Sequence, residues 1–271
     1  LPAPKRARYT LRLAHALAAP ALSHNQWEKV IGPPAWVARA FDTHISALQP
    51  LFVEMGKARD RSSPLPSTPR SRRALAFWLE AIKLAPGTIA ATQLTDPRTP
   101  SSWDGVVHID WAPVGSEQMI GVYVVSHGLY TIVPIPKWFL DAFPQSPHPS
   151  SPACEAMGVY VFLATFADII QGRTFAIFND NISWLLCYPS LSSESQALDC
   201  ALKLGALTAL STATRLVPLF VPTDSNLADP ASRRLVQAFL TRLRSKGLSK
   251  PSYRQPRPFV QPPFWSRLLL H

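Results

Sequence analysis

The chain has 271 residues, of which 47% are hydrophobic, and its formal net charge is +10. This hydrophobic content suffices for a packed core and excludes wholesale disorder. No apolar run approaches the ~20 residues that cross a bilayer, so no membrane partner is expected. The three cysteines form no CxxC pair and predict reduced thiols in an intracellular protein, without separating nucleus from cytoplasm.

The charge is distributed unevenly along the chain. Residues 1–80 carry +7, residues 81–230 carry −6 and residues 231–271 carry +9. Basic flanks favour a polyanionic partner, of which nucleic acid is the commonest. The acidic residues of the apolar middle are either solvated surface groups or carboxylates gathered for a metal ion.

The first hundred residues divide into three parts. Residues 1–58 predict a helical segment with two apolar stripes, separated by a break at Gly32-Pro33-Pro34. Residues 59–73 form a basic, Ser/Pro-rich linker. Residues 74–100 comprise a connecting helix over 74–84 and a loop.

Residues 101–245 show the pattern of a mixed α/β domain. The runs GVVHIDW, MIGVYVVS and GLYTIVPIP predict an antiparallel meander. Two further strands, TFAIFND and RLVPLFVP, alternate with helices predicted over residues 153–170, 182–187, 194–212 and 226–244. The order β-β-β-α-β-α-β-α predicts a mixed five-stranded sheet flanked by helices.

The last segment, residues 246–271, is a basic, Pro-rich tail. Its aromatic residues could stack on nucleic-acid bases. A disordered, solvated end is the favoured interpretation. The aromatic residues are Tyr253, Phe259, Phe264 and Trp265.

Four carboxylates fall at the ends of predicted elements. Asp110 ends the first strand, Glu155 lies in the first turn of the buried helix, Asp180 ends the fourth strand, and Asp229 lies in the first turn of the last helix. If the first and fourth strands are neighbours, Asp110 and Asp180 share one rim of the sheet, with Glu155 beneath and Asp229 facing across. Clustered carboxylates raise one another's pKa, and divalent cations relieve that repulsion. Oxygen ligands select Mg²⁺ or Mn²⁺, and two such ions ~3.5–4 Å apart can assist phosphodiester cleavage.

Each carboxylate also has a simpler explanation. Asp110 could form a turn, Asp180 could cap a helix, Asp229 could belong to a capping box, and Glu155 could interact with its helix dipole. Taken singly, these explanations are favoured. Together they do not account for the four positions within this order of elements.

Four motifs carry a resemblance to a known family. They are VHIDWA around Asp110, PACEAMGVYVFLATF around Glu155, FNDNISWLL around Asp180, and VPTDSNLADPASR around Asp229. Residues 105–234 resemble the RNase H domain that follows reverse transcriptase in LTR-type and DIRS-like retroelements. The preceding HNQWEKVIGPPAWVARAFDTHISALQPLF resembles a reverse transcriptase thumb and connection, and RRALAFWLEAIK resembles the helix just before the nuclease. The resemblance covers most of residues 20–235.

The resemblance implies a metal-dependent ribonuclease H that cuts RNA in RNA–DNA hybrids. Asp110 and Asp180 would bridge two Mg²⁺ or Mn²⁺ ions, Glu155 would bind one ion, and Asp229 would help to hold the attacking water. The expected partner is an RNA–DNA hybrid or another nucleic acid, bound with help from three further residues, Asn181, Asn226 and Arg233.

Departures from the family leave an alternative open. The sequence contains no Tyr-x-Asp-Asp polymerase motif, so this chain is not expected to synthesise DNA, and a polymerase-bearing protein is a further candidate partner. Relatives place Ala-Ser after the first Asp, whereas Trp111 and Ala112 stand here, and Phe220 replaces a common His. The alternative is an inactive RNase H-like module that binds nucleic acid or protein. A DDE-type recombinase is disfavoured, because its Glu comes last.

Overall fold

A computed structural model describes residues 2–40, 45–57, 64–85, 100–144 and 151–269. The chain divides into two compact units. The first comprises Leu1–Ala90, Pro189–Leu191 and Pro262–His271, and the second comprises Ala91–Tyr188 and Ser192–Gln261. Within the described residues, no helix has the length and hydropathy to span a membrane. Residues 59–63 of the predicted linker and most of the loop before residue 100 lie outside the described residues.

The first unit is mainly helical, as predicted. Its elements up to residue 84 are α1 (Ala3–Ala18), β1 (Ala21–Ser23), α2 (His24–Ala40), α3 (Gln49–Lys57), β2 (Pro64–Pro66) and α4 (Pro69–Leu84).

The predicted break at Gly32-Pro33-Pro34 is wrong, because α2 continues through both prolines. A proline inside a helix removes one backbone hydrogen bond and usually ends or kinks it. Here buried side chains on both sides of the prolines, Ile31 before and Val37 after, keep the two halves packed as one element. Packing therefore overrides the local signal.

Helix α4 begins at Pro69 rather than at residue 74. Thr68 caps it by accepting a hydrogen bond from the Ser71 N–H at 3.2 Å, and Pro69 takes the first helical position. Part of the predicted linker is also ordered, because its residues Pro64–Pro66 form β2, which pairs antiparallel with β1.

The second unit contains a six-stranded mixed sheet. The strands are β3 (Gly105–Val114), β4 (Glu117–Val124), β5 (Leu129–Pro134), β6 (Thr174–Asn179), β7 (Arg215–Phe220) and β8 (Ser252–Tyr253), in the order β7-β6-β3-β4-β5-β8. The antiparallel meander β3-β4-β5 is confirmed. The condition for a shared rim is also met, because β3, the first strand of the meander, pairs in parallel with β6. The predicted number of five strands is wrong, because β8 adds to β5 in parallel.

Helices flank this sheet, which makes the unit α/β. They are α5 (Lys137–Ala142), α6 (Ser151–Thr165), α7 (Ala167–Ile170), α8 (Ile182–Cys187), α9 (Gln196–Ser211), α10 (Asp229–Ser232) and α11 (Val236–Ser245); α12 (Trp265–Leu269) belongs to the first unit. Two predicted helices are each split in two. The chain leaves helical geometry at Phe166 between α6 and α7, and Arg234 takes a positive φ of 58° between α10 and α11.

Helix α6 lies between the sheet and α9, which explains why it is apolar almost all round. A Cβ on Gly158 would stand 2.4 Å from Ile109 Cγ2, so this glycine permits close packing on β3. Helices α10 and α11 cover the opposite face, where Tyr123 of β4 packs edge-on against Phe239 of α11. The side chains of adjacent strand residues point to opposite faces, so both layers have apolar partners.

Most of residues 246–261 are exposed, as a solvated tail predicts, but the segment is held at several points and is not disordered. Strand β8 pairs with β5, and Arg254 forms an ion pair with Asp168 at 2.5 Å. The Trp138 indole donates a hydrogen bond to the Phe259 carbonyl at 3.1 Å. Farther along, the buried Trp265 of the first unit is not accessible to a base. All three cysteines are thiols in the structure; Cys154 and Cys200 are buried and Cys187 is half-buried.

Candidate metal centre

The central rim of the sheet lies where β6 ends beside β3. The last pair between these strands is His108–Phe178, and β6 ends at Asn179. Asp180 therefore follows β6 directly, as predicted, whereas Asp110 lies within β3 and not at its end. Strand β3 continues to Val114 because it still pairs with β4 there.

Glu155 reaches this rim from α6. It lies in the second turn of the helix, not in the first, and its side chain is buried. One carboxylate oxygen from each of Asp110, Glu155 and Asp180 lies within 4.8 Å of the others. The structure therefore brings three of the four predicted carboxylates together as an acidic triad.

Burial and mutual repulsion dominate the electrostatics of this triad. Burial, with the charges of Asp180 and Asp229, raises the pKa of Asp110 to about 7, although a hydrogen bond from Ser232 opposes the shift. Burial and the charge of Asp110 also raise the pKa of Glu155. At an effective dielectric constant near 20, two charges 4.8 Å apart repel by about 3 kcal/mol, so a fully ionised triad favours a bound cation.

The fourth carboxylate, Asp229, lies outside the 4.8 Å group. Its Oδ1 accepts a hydrogen bond from Arg233 Nε at 2.9 Å, and its Oδ2 is 3.7 Å from Arg242 Nη1. The charge of Asp229 still raises the pKa of Asp110, so Asp229 is close enough to affect the triad electrostatically.

The simpler explanations by helix capping or by the helix dipole do not fit Asp180, Asp229 or Glu155. Helix α8 is capped by Asn181 rather than by Asp180, and the N-cap position of α10 is Ala228, without a side-chain cap. Glu155 is not in the first turn of its helix, where a favourable dipole interaction is strongest.

The three residues predicted to bind nucleic acid differ in exposure. Asn181 is half-buried, caps α8 and donates to Ser151 Oγ at 3.1 Å. Asn226 is fully buried, with its side chain hydrogen-bonded inside the protein. Arg233 is exposed and pairs with Asp229.

Three residues of the site were not predicted as site residues. Ser232 donates a hydrogen bond to Asp110 Oδ2, and Asn179 donates one to Glu155 Oε2 at 2.8 Å. Gly121 pairs with Asp110 in the sheet, and a Cβ there would stand 2.6 Å from the Ser232 backbone nitrogen. A glycine inside an apolar strand signals such a close approach. For Ser232, the sequence signal was its position in the motif VPTDSNLADPASR around Asp229.

His108 fixes the loop before α10. Its Nδ1 accepts a hydrogen bond from the Leu227 N–H at 3.2 Å, and its ring stacks on Phe178 with centroids 5.1 Å apart. Burial lowers the pKa of His108 to about 4, so the ring is neutral near pH 7. A neutral imidazole with an accepting Nδ1 carries its proton on Nε2.

The donor set of the triad suits a hard divalent cation. Its oxygen atoms are the ligands that Mg²⁺, Mn²⁺ and Ca²⁺ prefer. In the described part of the chain, no salt bridge neutralises Asp110, Glu155 or Asp180. The triad could therefore hold a metal ion. No family model matches the chain, and no curated protein sequence matches it.

Proposed function

We propose that the second unit is an RNase H-like, metal-dependent endonuclease that cleaves RNA in RNA–DNA hybrids and derives from a retroelement reverse transcriptase. The observation that carries this proposal is the acidic triad, contributed by β3, α6 and the end of β6. The strand order and the four sequence motifs support it.

The chemistry follows from the residues of the triad. Asp110, Glu155 and Asp180 would hold Mg²⁺ or Mn²⁺, with two ions expected, and this metal would supply an activated water and stabilise the leaving oxygen. Asp229, whose charge acts on Asp110, would help to hold that water. Arg233 and the other cations after residue 231 would contact phosphates, and 2′-hydroxyl contacts would identify the RNA strand.

A labelled RNA–DNA hybrid tests the activity. The wild-type protein should cleave the RNA strand in Mg²⁺ or Mn²⁺ and lose cleavage in EDTA, and Asp180→Asn should lower the rate by at least about 100-fold. Asp141→Asn is the matched control, because this exposed aspartate pairs with Lys137 on α5. If wild type and Asp180→Asn cleave alike, or neither exceeds a protein-free blank, the nuclease proposal fails.

One observation favours the second candidate, an inactive RNase H-like module that binds nucleic acid or protein. Asp229 interacts with Arg233 and Arg242 instead of joining the triad. Tight hybrid binding in Ca²⁺, with no cleavage in Mg²⁺ or Mn²⁺, would support this candidate over the first. No affinity for hybrid or duplex RNA at low salt would leave protein binding.

A further inference from the structure

Two buried asparagines converge on one backbone carbonyl beside the triad. Asn179 Nδ2 donates to the Ile109 carbonyl at 3.2 Å and to Glu155 Oε2 at 2.8 Å. Asn226 Nδ2 donates to the same carbonyl at 3.0 Å and to Asp110 Oδ1 at 3.3 Å. Their side chains are 1% and 0% exposed.

We propose that Asn179 and Asn226 are positioning residues, which together hold Glu155 and Asp110 in a metal-binding orientation through the shared Ile109 carbonyl. This inference rests on the proposed function. It assigns Asn226 a role inside the protein instead of the predicted contact with nucleic acid.

The side-chain amide oxygen of each asparagine accepts a hydrogen bond that fixes a turn next to another carboxylate. Asn179 Oδ1 accepts the Asn181 N–H at 2.8 Å, a bond that spans Asp180. Asn226 Oδ1 accepts the Ala228 N–H at 3.2 Å, immediately before Asp229. Each amide thus connects two of the four carboxylates, and the Ile109 carbonyl connects the two amides.

A neutral amide suits this task for an electrostatic reason. Buried carboxylates need hydrogen-bond donors to offset lost hydration. A Lys or Arg donor would also neutralise the charge and compete with a metal ion. An amide N–H orients one carboxylate oxygen and leaves the negative charge for a cation.

Metal titration separates positioning from a purely structural role. Asn179→Ala and Asn226→Ala should each weaken Mn²⁺ binding by about 10–100-fold, measured by calorimetry or by EPR of free Mn²⁺. The double variant should lose less than the product of the two single effects, because both amides act through one carbonyl. In the hybrid assay, kcat should fall while KM for the hybrid stays near the wild-type value.

Three further variants keep the test decisive. Thr214→Val removes another buried hydrogen bond to a carbonyl, that of Ile170 at 3.0 Å, and should lower Tm without changing Mn²⁺ affinity. If the alanine variants do not fold, Asn179→Ser and Asn226→Ser replace them. A serine can still accept the turn N–H, but it is too short to reach both Ile109 and the carboxylate.

The outcomes distinguish this inference from the proposed function. If the wild type binds Mn²⁺ and the asparagine variants bind it within twofold of wild type, the inference is overturned while the nuclease proposal stands. The same holds if Thr214→Val weakens Mn²⁺ binding as much as they do. A wild type that binds no Mn²⁺ and cleaves no hybrid overturns both.

Discussion

The raised pKa of Asp110 makes the stability of the folded protein depend on pH. Its pKa rises from an ordinary value near 4 to about 7 in the folded protein. The folded state therefore binds a proton that the unfolded state has released between these pH values. The resulting stabilisation is complete below pH 4 and is lost as the pH rises to 7.

Replacing this carboxyl should therefore stabilise the metal-free protein at alkaline pH. We expect Asp110→Asn to gain about 1–2 kcal/mol at pH 8, or ~2–8 °C in Tm, with little gain at pH 4. His108 has the opposite effect on stability, because its pKa is lowered to about 4 and the folded protein therefore loses stability as the pH falls from 6.5 to 4. This effect is the same in the wild type and in Asp110→Asn. Thermal unfolding in EDTA checks the difference. An equal change in Tm at both pH values would contradict the prediction.

Arg233 and Arg234 form a matched pair of adjacent arginines. Arg233 pairs with Asp229 beside the triad, whereas Arg234 pairs with Glu117 at 2.6 Å. We expect Arg233→Gln to strengthen Mn²⁺ binding about two- to fivefold, because it removes a nearby cation and frees Asp229 Oδ1, while Oδ2 still faces Arg242. The effect is modest because Arg233 is half-exposed. Arg234→Gln should leave the affinity unchanged. Equal effects of the two substitutions would show that Asp229 is not restrained by Arg233.

At the scale of elements, the approach of α10 to β4 determines where Ser232 lies. Gly121→Ala would place a Cβ 2.6 Å from the Ser232 backbone nitrogen, so the helix must shift away from Asp110. We expect a loss of about 1–3 kcal/mol in the free energy of unfolding and weaker Mn²⁺ binding. Gly205→Ala is the control, because its Cβ would meet Val159 at an ordinary 3.5 Å. Denaturant unfolding and Mn²⁺ titration check both variants, and unchanged Mn²⁺ affinity in Gly121→Ala would contradict the argument.

Local patterns predicted most elements of the second unit, and three-dimensional contacts decided the rest. Short β-rich runs located β3, β4 and β5, whereas the pairing of β3 with β6 entered the sequence argument only as a condition. The sequence did not reveal that α2 continues through Pro33, where packing outweighs propensity. It also did not reveal that the last predicted helix divides at Arg234, which takes a positive φ. The shared contacts of Asn179 and Asn226 were also hidden, since they join residues far apart in the chain.

At the scale of the whole molecule, the first unit gathers segments from distant parts of the chain. Helix α12 contributes the buried side chains Trp265 and Leu268, and Arg267 pairs with Glu80 of α4. Deleting residues 262–271 should therefore destabilise the first unit by several kcal/mol, because two large buried side chains are lost.

Calorimetry should show this loss as an unfolding transition at lower temperature. Mn²⁺ affinity should stay within about twofold of the full chain, because the triad and its hydrogen-bond partners belong to the second unit. A parallel loss of Mn²⁺ affinity would mean that the two units do not behave independently.

The two outer strands of the six-stranded sheet limit how other chains can associate with it. Strand β7 contains Pro218, which has no N–H to offer an incoming strand, and β8 occupies the N-terminal part of β5, whose far end is Pro134. Growth of the sheet by backbone pairing with a second molecule is thereby discouraged at both sides. Partners would therefore be recognised by side chains rather than by strand addition, and the unit is protected against the edge-to-edge polymerisation that leads to fibrils.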